Sequence, residues 1–388
     1  MGGIMADTIP TEQALEQTKG FRWGEVPPTQ ELRLAAAPAQ PSLGGIAGFV
    51  GTFRGNGLNT IFRPQDFGVT PTPLPHPATG PNDNILEINL TEETLSFSKA
   101  LGSIPNRGMV QGDVFLNGIP YLQTINDVSV PANPVGIHFE PGIWLSVPET
   151  TVPEEVATVA RMASIPHGTT IEAQGTSRTI AGGPQINPVD ITPFQIGNPA
   201  QRITFPSQDV TNNATFRLPQ DLTSFIAAGT ITKDILDNPN IILKNRAGAQ
   251  NITSTTVIVI STNPADPLFG GGTDNIAFLL GDKNATAPNA DAVQMSAIFW
   301  VETVAEKITV PPYTAGHPVI VRGSTSAGNP VVSFSVTSKK PSAHDTTIDV
   351  SYTQIQYTQT VLLNFNGLTW PHVSVATLVP NEPVPVAI

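Results

Sequence analysis

The chain has 388 residues, of which only 13% are charged, with 33 glycines, 38 prolines and no cysteine. Without cysteine there can be no disulfide, no thiolate-held zinc or haem and no iron–sulfur cluster. The net charge of −12 opposes nucleic-acid binding, which needs clustered Lys and Arg, and no apolar run approaches the ~18 residues of a spanning helix.

Long charged amphipathic helices are not expected from this composition. Val, Ile and Thr recur between Gly, Pro and Asn clusters, the makings of short strands joined by turns. The N-terminus shows no basic patch followed by an apolar core, so no signal peptide is expected. The expectation is a soluble, cytoplasmic protein that contacts neither nucleic acid nor membrane.

Residues 1–43 read as an arm and linker. Thr11 is a candidate N-cap for a short helix, Phe21 and Trp23 are candidate anchors, and residues 35–42 form a Pro- and Ala-rich linker. Residues 44–388 read as one β domain. Gly51-Thr-Phe-Arg-Gly-Asn-Gly57 puts Gly51, Phe53, Gly55 and Gly57 on one strand face, a pattern of sharp bends or of close approach by backbone or ligand. Residues 71–81 form a Pro-rich loop with His76. Strands are expected at 84–90, 93–98, 113–116 and 119–122, the last two joined by an Asn117-Gly118 hairpin turn.

In Gly136-Ile-His-Phe-Glu-Pro-Gly-Ile-Trp-Leu-Ser146, His138, Glu140, Gly142 and Trp144 fall at period two and share one side of a strand. Pro141 marks an edge or bulge. A strand at 156–165 is interrupted by Pro166-His167-Gly168 and resumes at 170–173. Residues 180–315 read as an inserted α+β elaboration, with helices at 218–229 and 232–243 and strands at 254–261, 275–280 and 293–304. Further strands follow at 318–322, 331–337 and 346–363.

The chain closes on Trp370-Pro-His-Val-Ser-Val-Ala-Thr-Leu378. Alternation places Val373, Val375 and Thr377 on one face and His372, Ser374, Ala376 and Leu378 on the other. The imidazole thus has small neighbours, a setting that suits a flat ligand lying against the strand. Strands at both ends of the domain fit a closed antiparallel β-barrel, because closure removes exposed edges. Small inward residues leave a cavity near one end.

Signatures of common enzyme classes are missing: no P-loop, no dinucleotide-binding glycine fingerprint, no H-E-x-x-H and no G-x-S-x-G. Gly270-Gly-Gly272 reads as a loop, Gly323-Ser-Thr-Ser-Ala-Gly328 as a hydroxyl-bearing turn, and Glu154-Glu155 as a solvated turn. Of six histidines, His76, His317 and His344 sit in surface-like loops. His138 reads as a structural histidine of its file. His167 is either a solvated turn residue or a side chain re-aimed over a barrel mouth. His372 is either a strand-end histidine bonded to a neighbour or an axial ligand to iron.

Three patches, in order along the chain, resemble the nitrobindin family of small haem-binding β-barrels. That family has a G-x-W-x-G-x-G-like first strand, matched by Gly51 to Gly57 with Phe53 in place of the tryptophan. It has an H-x-E-x-G-x-W-like middle strand, matched by His138, Glu140, Gly142 and Trp144. Its last strand carries a haem-ligating histidine, matched by His372. The resemblance implies haem b held by His372, with Gly51, Phe53, Gly55, Gly57, His138, Trp144, Ser374 and Ala376 around the macrocycle. It implies a ferric iron that meets nitric oxide or peroxynitrite. His167, outside the family pattern, would be a distal acid–base group acting on peroxide or a rival iron ligand, with Arg161 or Met162 nearby.

Two other readings stand beside it. One is a lipocalin-like carrier of an apolar small molecule without metal, which needs only the cavity. The other is a structural, assembling β-protein, which the low charge and abundant Pro, Asn and Thr also suit. A homo-oligomer is compatible with all three.

Overall fold

The computed structural model describes residues 40–64, 84–264, 270–281, 289–324 and 330–388. The expected arm helix at Thr11, the anchors Phe21 and Trp23, the His76 loop and part of the Gly323 turn lie outside these. The described chain is mainly β, 55% strand with four helices.

Ten strands form a closed antiparallel barrel. They are β1 (Thr52–Arg63), β2 (Ile85–Phe97), β3 (Val114–Asp127), β4 (Val135–Val147), β5 (Thr158–Ser164), β6 (Thr169–Ala181), β7 (Asn251–Ser261), β8 (Asp291–Val310), β9 (Thr346–Phe365) and β10 (Leu368–Pro380). Each pairs with the next in chain order, and β1 pairs with β10 to close the ring, with Gly55 opposite Leu378 and Leu58 opposite Val375. Antiparallel neighbours can be joined by a tight hairpin or by a longer segment, and in both cases the order of staves follows the order of the chain. Beyond the ring, β8 and β9 run on together and pack with a small sheet of Val319–Arg322, Ser333–Thr337 and Val384–Ala387 around Val310, Phe334 and Val379.

Two expectations about turns reverse. Asn117-Gly118 is no hairpin; both residues lie inside β3. The Asn117 carboxamide is consumed locally: Oδ1 accepts from the Gly102 and Gly118 N–H groups and Nδ2 donates to the Pro41 carbonyl. The Asn-Gly pair that does turn the chain is Asn366-Gly367 between β9 and β10, with φ of 47° and 75°. Two successive positive φ values are what a two-residue type I′ hairpin turn demands. Pro166-His167-Gly168 does not merely interrupt a strand. It reverses the chain between β5 and β6.

The expected elaboration at 180–315 is also corrected. Strands β7 and β8 are staves of the ring, and what is inserted lies between β6 and β7. That insert carries α1 (Thr223–Ala228), α2 (Lys233–Asp237) and α3 (Asn240–Gly248). Its Ile191, Leu222, Leu236 and Leu243 are buried in the main apolar core, and two of its short strands extend β10 and β2 at their starts. The outward-facing Val373 and Val375 of β10 are therefore fully buried. On the outer face of β9, Gln356 donates to the Leu243 carbonyl and Thr358 donates to Asn240 Oδ1, which docks α3. The insert is tied to itself by Arg217, whose buried guanidinium donates to the carbonyls of Ser207, Asp209, Asn212 and Gln220.

The glycines of β1 serve this closure. A Cβ on Gly55 would lie 1.9 Å from the Thr377 carbonyl oxygen, and one on Gly57 would lie 2.2 Å from that of Val375. Both obstructions are backbone, so neither can swing aside. Overpacking of a closed sheet costs about 1–3 kcal/mol. Gly55→Ala is expected to lower the urea unfolding free energy by about 2–3 kcal/mol; a loss below about 0.5 kcal/mol would show that β10 can withdraw freely.

Candidate functional site

The barrel interior is layered along its axis. At one level Phe49, Phe53, Phe97, Trp144 and Phe299 form a buried aromatic plug. Phe49 stacks on Phe97 with centroids 4.7 Å apart, and Trp144 meets Phe299 edge-on at 5.1 Å. The turn Gly44–Ile46 leads Phe49 into this layer.

Above the plug lies a layer of buried polar groups. Arg161 of β5 is 1% exposed, and its guanidinium carbon stands 5.5 Å from the ring centres of Tyr121 and Phe299 and 5.6 Å from that of Trp144. Its Nη2 donates to Glu140 Oε1, its Nε to the Tyr121 hydroxyl at 2.8 Å and its Nη1 to Gln359 Oε1 at 2.7 Å. The Tyr121 hydroxyl donates to the same Glu140 oxygen. Burial alone would raise the Glu140 carboxyl, but the Arg161 charge and the bond to His138 overcome it and hold it at about 2. Glu140 is therefore an ionised carboxylate inside the barrel.

A second buried carboxyl behaves oppositely. Glu93 of β2 accepts from Tyr357 at 2.6 Å and from Thr91 at 3.0 Å. It has no cation in contact, and burial raises its pKa above the ordinary carboxylate value despite these bonds. Gln123 donates to both Glu93 and Tyr357. Two carboxyls in neighbouring surroundings are thus pushed apart in acidity, because only one has a guanidinium beside it.

Above this layer the interior opens into a cavity of about 370 Å³, within the range of small-molecule sites. A sphere of that volume is about 9 Å across. Its polar walls include Asn59, Asn89, Gln123, Tyr357, Gln359 and Ser374; its apolar walls include Ile61, Ile125, Ala292, Val361 and Leu363. His138, His167 and His372 all line it. His138 and His167 meet edge-on with centroids 5.3 Å apart. His167 is exposed, on the β5–β6 hairpin, while His138 is largely covered and sits beneath it.

The ring nitrogens have assigned tasks. His138 Nε2 lies 3.2 Å from Glu140 Oε2. An ionised carboxylate only accepts, so Nε2 carries a proton, and in the neutral ring Nδ1 carries the lone pair. His372 Nε2 lies 2.7 Å from Asn59 Nδ2. Asn59 Nδ2 also donates to Ser374 Oγ at 2.9 Å, and Asn59 Oδ1 accepts from Asn89 Nδ2 at 3.4 Å, which fixes the carboxamide orientation. His372 Nε2 is thus an acceptor, and Nδ1 carries the proton. Burial, with lesser effects from His138 and His167, lowers the His372 pKa to about 4, so this ring is neutral at neutral pH. Burial and His138 also lower that of His167.

The expected site residues divide accordingly. His138, His167, His372 and Ser374 meet at the cavity. Phe53 and Trp144 belong to the aromatic plug, and Arg161 to the buried ion pair beneath the cavity. Ala376 faces inward but is fully buried against β1 rather than lining the cavity. Gly55 and Gly57 give room to the β10 backbone, and Gly51, at φ 81°, precedes β1 in a turn. Met162 points out of the barrel and is 39% exposed. Its neighbours Arg161 and Ala163 are buried, as strand alternation requires. The residues not anticipated are Asn59, Tyr121, Gln123, Tyr357 and Gln359. Tyr357 and Gln359 alternate with Ile355 and Val361 on the inward face of a strand that is polar along much of its length, so alternation alone did not single them out.

The donor set does not fit an iron-bound haem. The Nε2 lone pair of His372 is taken by Asn59, and its Nδ1 is protonated, so neither nitrogen is free to ligate. The space expected for a macrocycle at Gly55 and Gly57 is filled by β10, and Gly51 lies before β1. Among the described residues the cavity wall has no Lys or Arg to meet propionates, and no group of three His, Asp or Glu is placed to hold a bare metal ion. No helix of the described chain is long and apolar enough to cross a membrane.

No protein-family model, no curated protein and no solved structure matches this chain. The resemblance to nitrobindins rests on the three short patches alone.

Proposed function

We propose that this protein binds a compact, uncharged small molecule in the mouth of its barrel, without a metal. The observation that carries this reading is the 370 Å³ cavity bounded by three imidazoles, four carboxamides and an apolar wall. A ten-stranded ring is wider than the eight-stranded barrels that side chains just fill or that hold one small ligand. Here the aromatic plug fills one level and leaves the next open. The described wall offers hydrogen-bond donors and acceptors but no Lys or Arg, and its Glu87 is already paired with Arg63 at 2.9 Å. An anion such as peroxynitrite finds no counterion there, whereas a neutral molecule with one polar end finds partners for both ends.

The test is titration with N-phenyl-1-naphthylamine, a neutral dye that fluoresces when it leaves water. Wild-type protein should saturate with it. Ala292→Trp, which places an indole in the cavity wall, should weaken binding by more than about tenfold, or 1.4 kcal/mol, with an unchanged circular dichroism spectrum. Equal binding by both would sink the proposal. So would a haemin titration that gives a Soret band lost in His372→Ala, since that would restore the iron reading.

A further inference from the structure

The two buried-facing histidines present opposite faces to the same space. His138 keeps a lone pair on Nδ1 because its Nε2–H is committed to Glu140. His372 keeps a proton on Nδ1 because its Nε2 accepts from Asn59. Neither Nδ1 has a protein partner among the described residues, and neither is among the buried polar atoms shut away without one. Both side chains line the cavity. One wall therefore offers a base held by a carboxylate, and another offers a neutral hydrogen-bond donor.

We infer that the cavity is a proton-transfer site for an uncharged ketone or enone, with His138 as the base and His372 as the donor to the carbonyl oxygen. This rests on the binding reading above and adds a reaction to it. His138 Nδ1 takes the proton from the carbon next to the carbonyl. The C–H electron pair becomes the new C=C bond, and the carbonyl π pair moves onto oxygen, where it accepts the hydrogen bond from His372 Nδ1–H. The His138 imidazolium then returns a proton to the same carbon, or to the far end of a conjugated system. The net change is exchange or isomerisation, with no oxidant and no second reactant.

The surroundings suit each role. Glu140 stabilises the imidazolium as it forms and fixes the ring, so it is a positioning residue in the sense of a carboxylate behind a catalytic histidine. Asn59 does the same for His372 by dictating its tautomer. Burial keeps the His372 ring neutral at neutral pH, and a neutral imidazole can donate its N–H to a developing oxyanion, as low-lying histidines do when they polarise carbonyls. His167, exposed at the lip beside His138, gives the imidazolium a route to exchange with solvent.

The experiment is proton NMR of 2-tetralone in D₂O, following loss of the C1 proton signal with full-length protein. The compound is neutral, enolisable and smaller than the cavity. Exchange should be accelerated by about 100-fold over buffer. His138→Gln should lose about that factor while still broadening the ligand's lines, and N-phenyl-1-naphthylamine should block exchange in the wild type. His372→Gln, which keeps an N–H donor, should retain more activity than His372→Leu. Line broadening without accelerated exchange overturns this inference and leaves the binding reading standing. Exchange that is the same in His138→Gln, or is not blocked by the dye, also overturns it. No broadening by the wild type overturns this inference, and the binding reading falls with it only if N-phenyl-1-naphthylamine also fails to saturate.

Discussion

Glu140→Gln should destabilise the protein by about 3–5 kcal/mol, because it leaves the Arg161 guanidinium buried without its counter-charge. The pair itself adds little net stability, since two ions were taken out of water to make it. What is costly is half of it. Arg161 is 1% exposed and Glu140 is fully buried, so no solvent relaxes the orphaned charge. Urea denaturation at neutral pH measures the loss. The double variant Glu140→Leu/Arg161→Met should recover more than half of it, because apolar replacements remove both charges together. If the single variant costs less than about 1 kcal/mol, the layer is hydrated and the interior is not as drawn.

The same pair sets part of the acid response. The folded pKa of Glu140, about 2, lies below its ordinary value of 4.5. A carboxyl depressed by folding stabilises above the unfolded value, and that stability is lost as pH falls through the folded one. The gap between wild type and Glu140→Gln should therefore narrow between pH 4.5 and 2.

The second large effect belongs to His372. Its folded pKa of about 4 lies below the ordinary 6.5, so the unfolded chain takes up the proton first as pH falls. The stability tied to the neutral ring is present above 6.5 and is lost progressively down to 4. Between pH 7 and 4.5, wild type should lose about 2–3 kcal/mol more than His372→Gln. Glu93 and Glu140 are common to both proteins and drop out of the comparison. Chemical denaturation at the two pH values decides it, and equal losses would mean that the ring is hydrated or that its Asn59 bond breaks readily. Protonation would set an N–H against the Asn59 amide N–H, so acid should also weaken whatever the cavity holds.

Much of the architecture follows from alternation. The inward file His138, Glu140, Gly142, Trp144 and the inward file His372, Ser374, Ala376, Leu378 are where period two puts them, because a strand has only two faces. Closure followed from strands at both ends of the domain, since a closed ring leaves no exposed edge. The turns were less legible. Asn117-Gly118 and Asn366-Gly367 are the same dipeptide, yet only the second reverses the chain. The carboxamide of Asn117 found Gly102 and Pro41, partners no local pattern contains. Strands β7 and β8 passed for an insertion because the segment ahead of them, with its three helices, broke the run of hairpins.

Histidine roles show the same division. That His138 and His372 face inward was in the sequence. That one shows a lone pair and the other a proton was not, since this depends on Glu140 behind the first ring and Asn59 beside the second. Asn59 and His372 lie 313 residues apart and meet only because β1 closes onto β10. The glycines of β1 carry the same lesson: sequence said that something approaches them closely, and the ring decided that it is the β10 backbone and not a ligand. Periodicity is a property of neighbours in the chain and fixes which side a residue takes. Tautomer, charge state and the occupant of a gap are properties of neighbours in space, and only closure of the barrel brings those together.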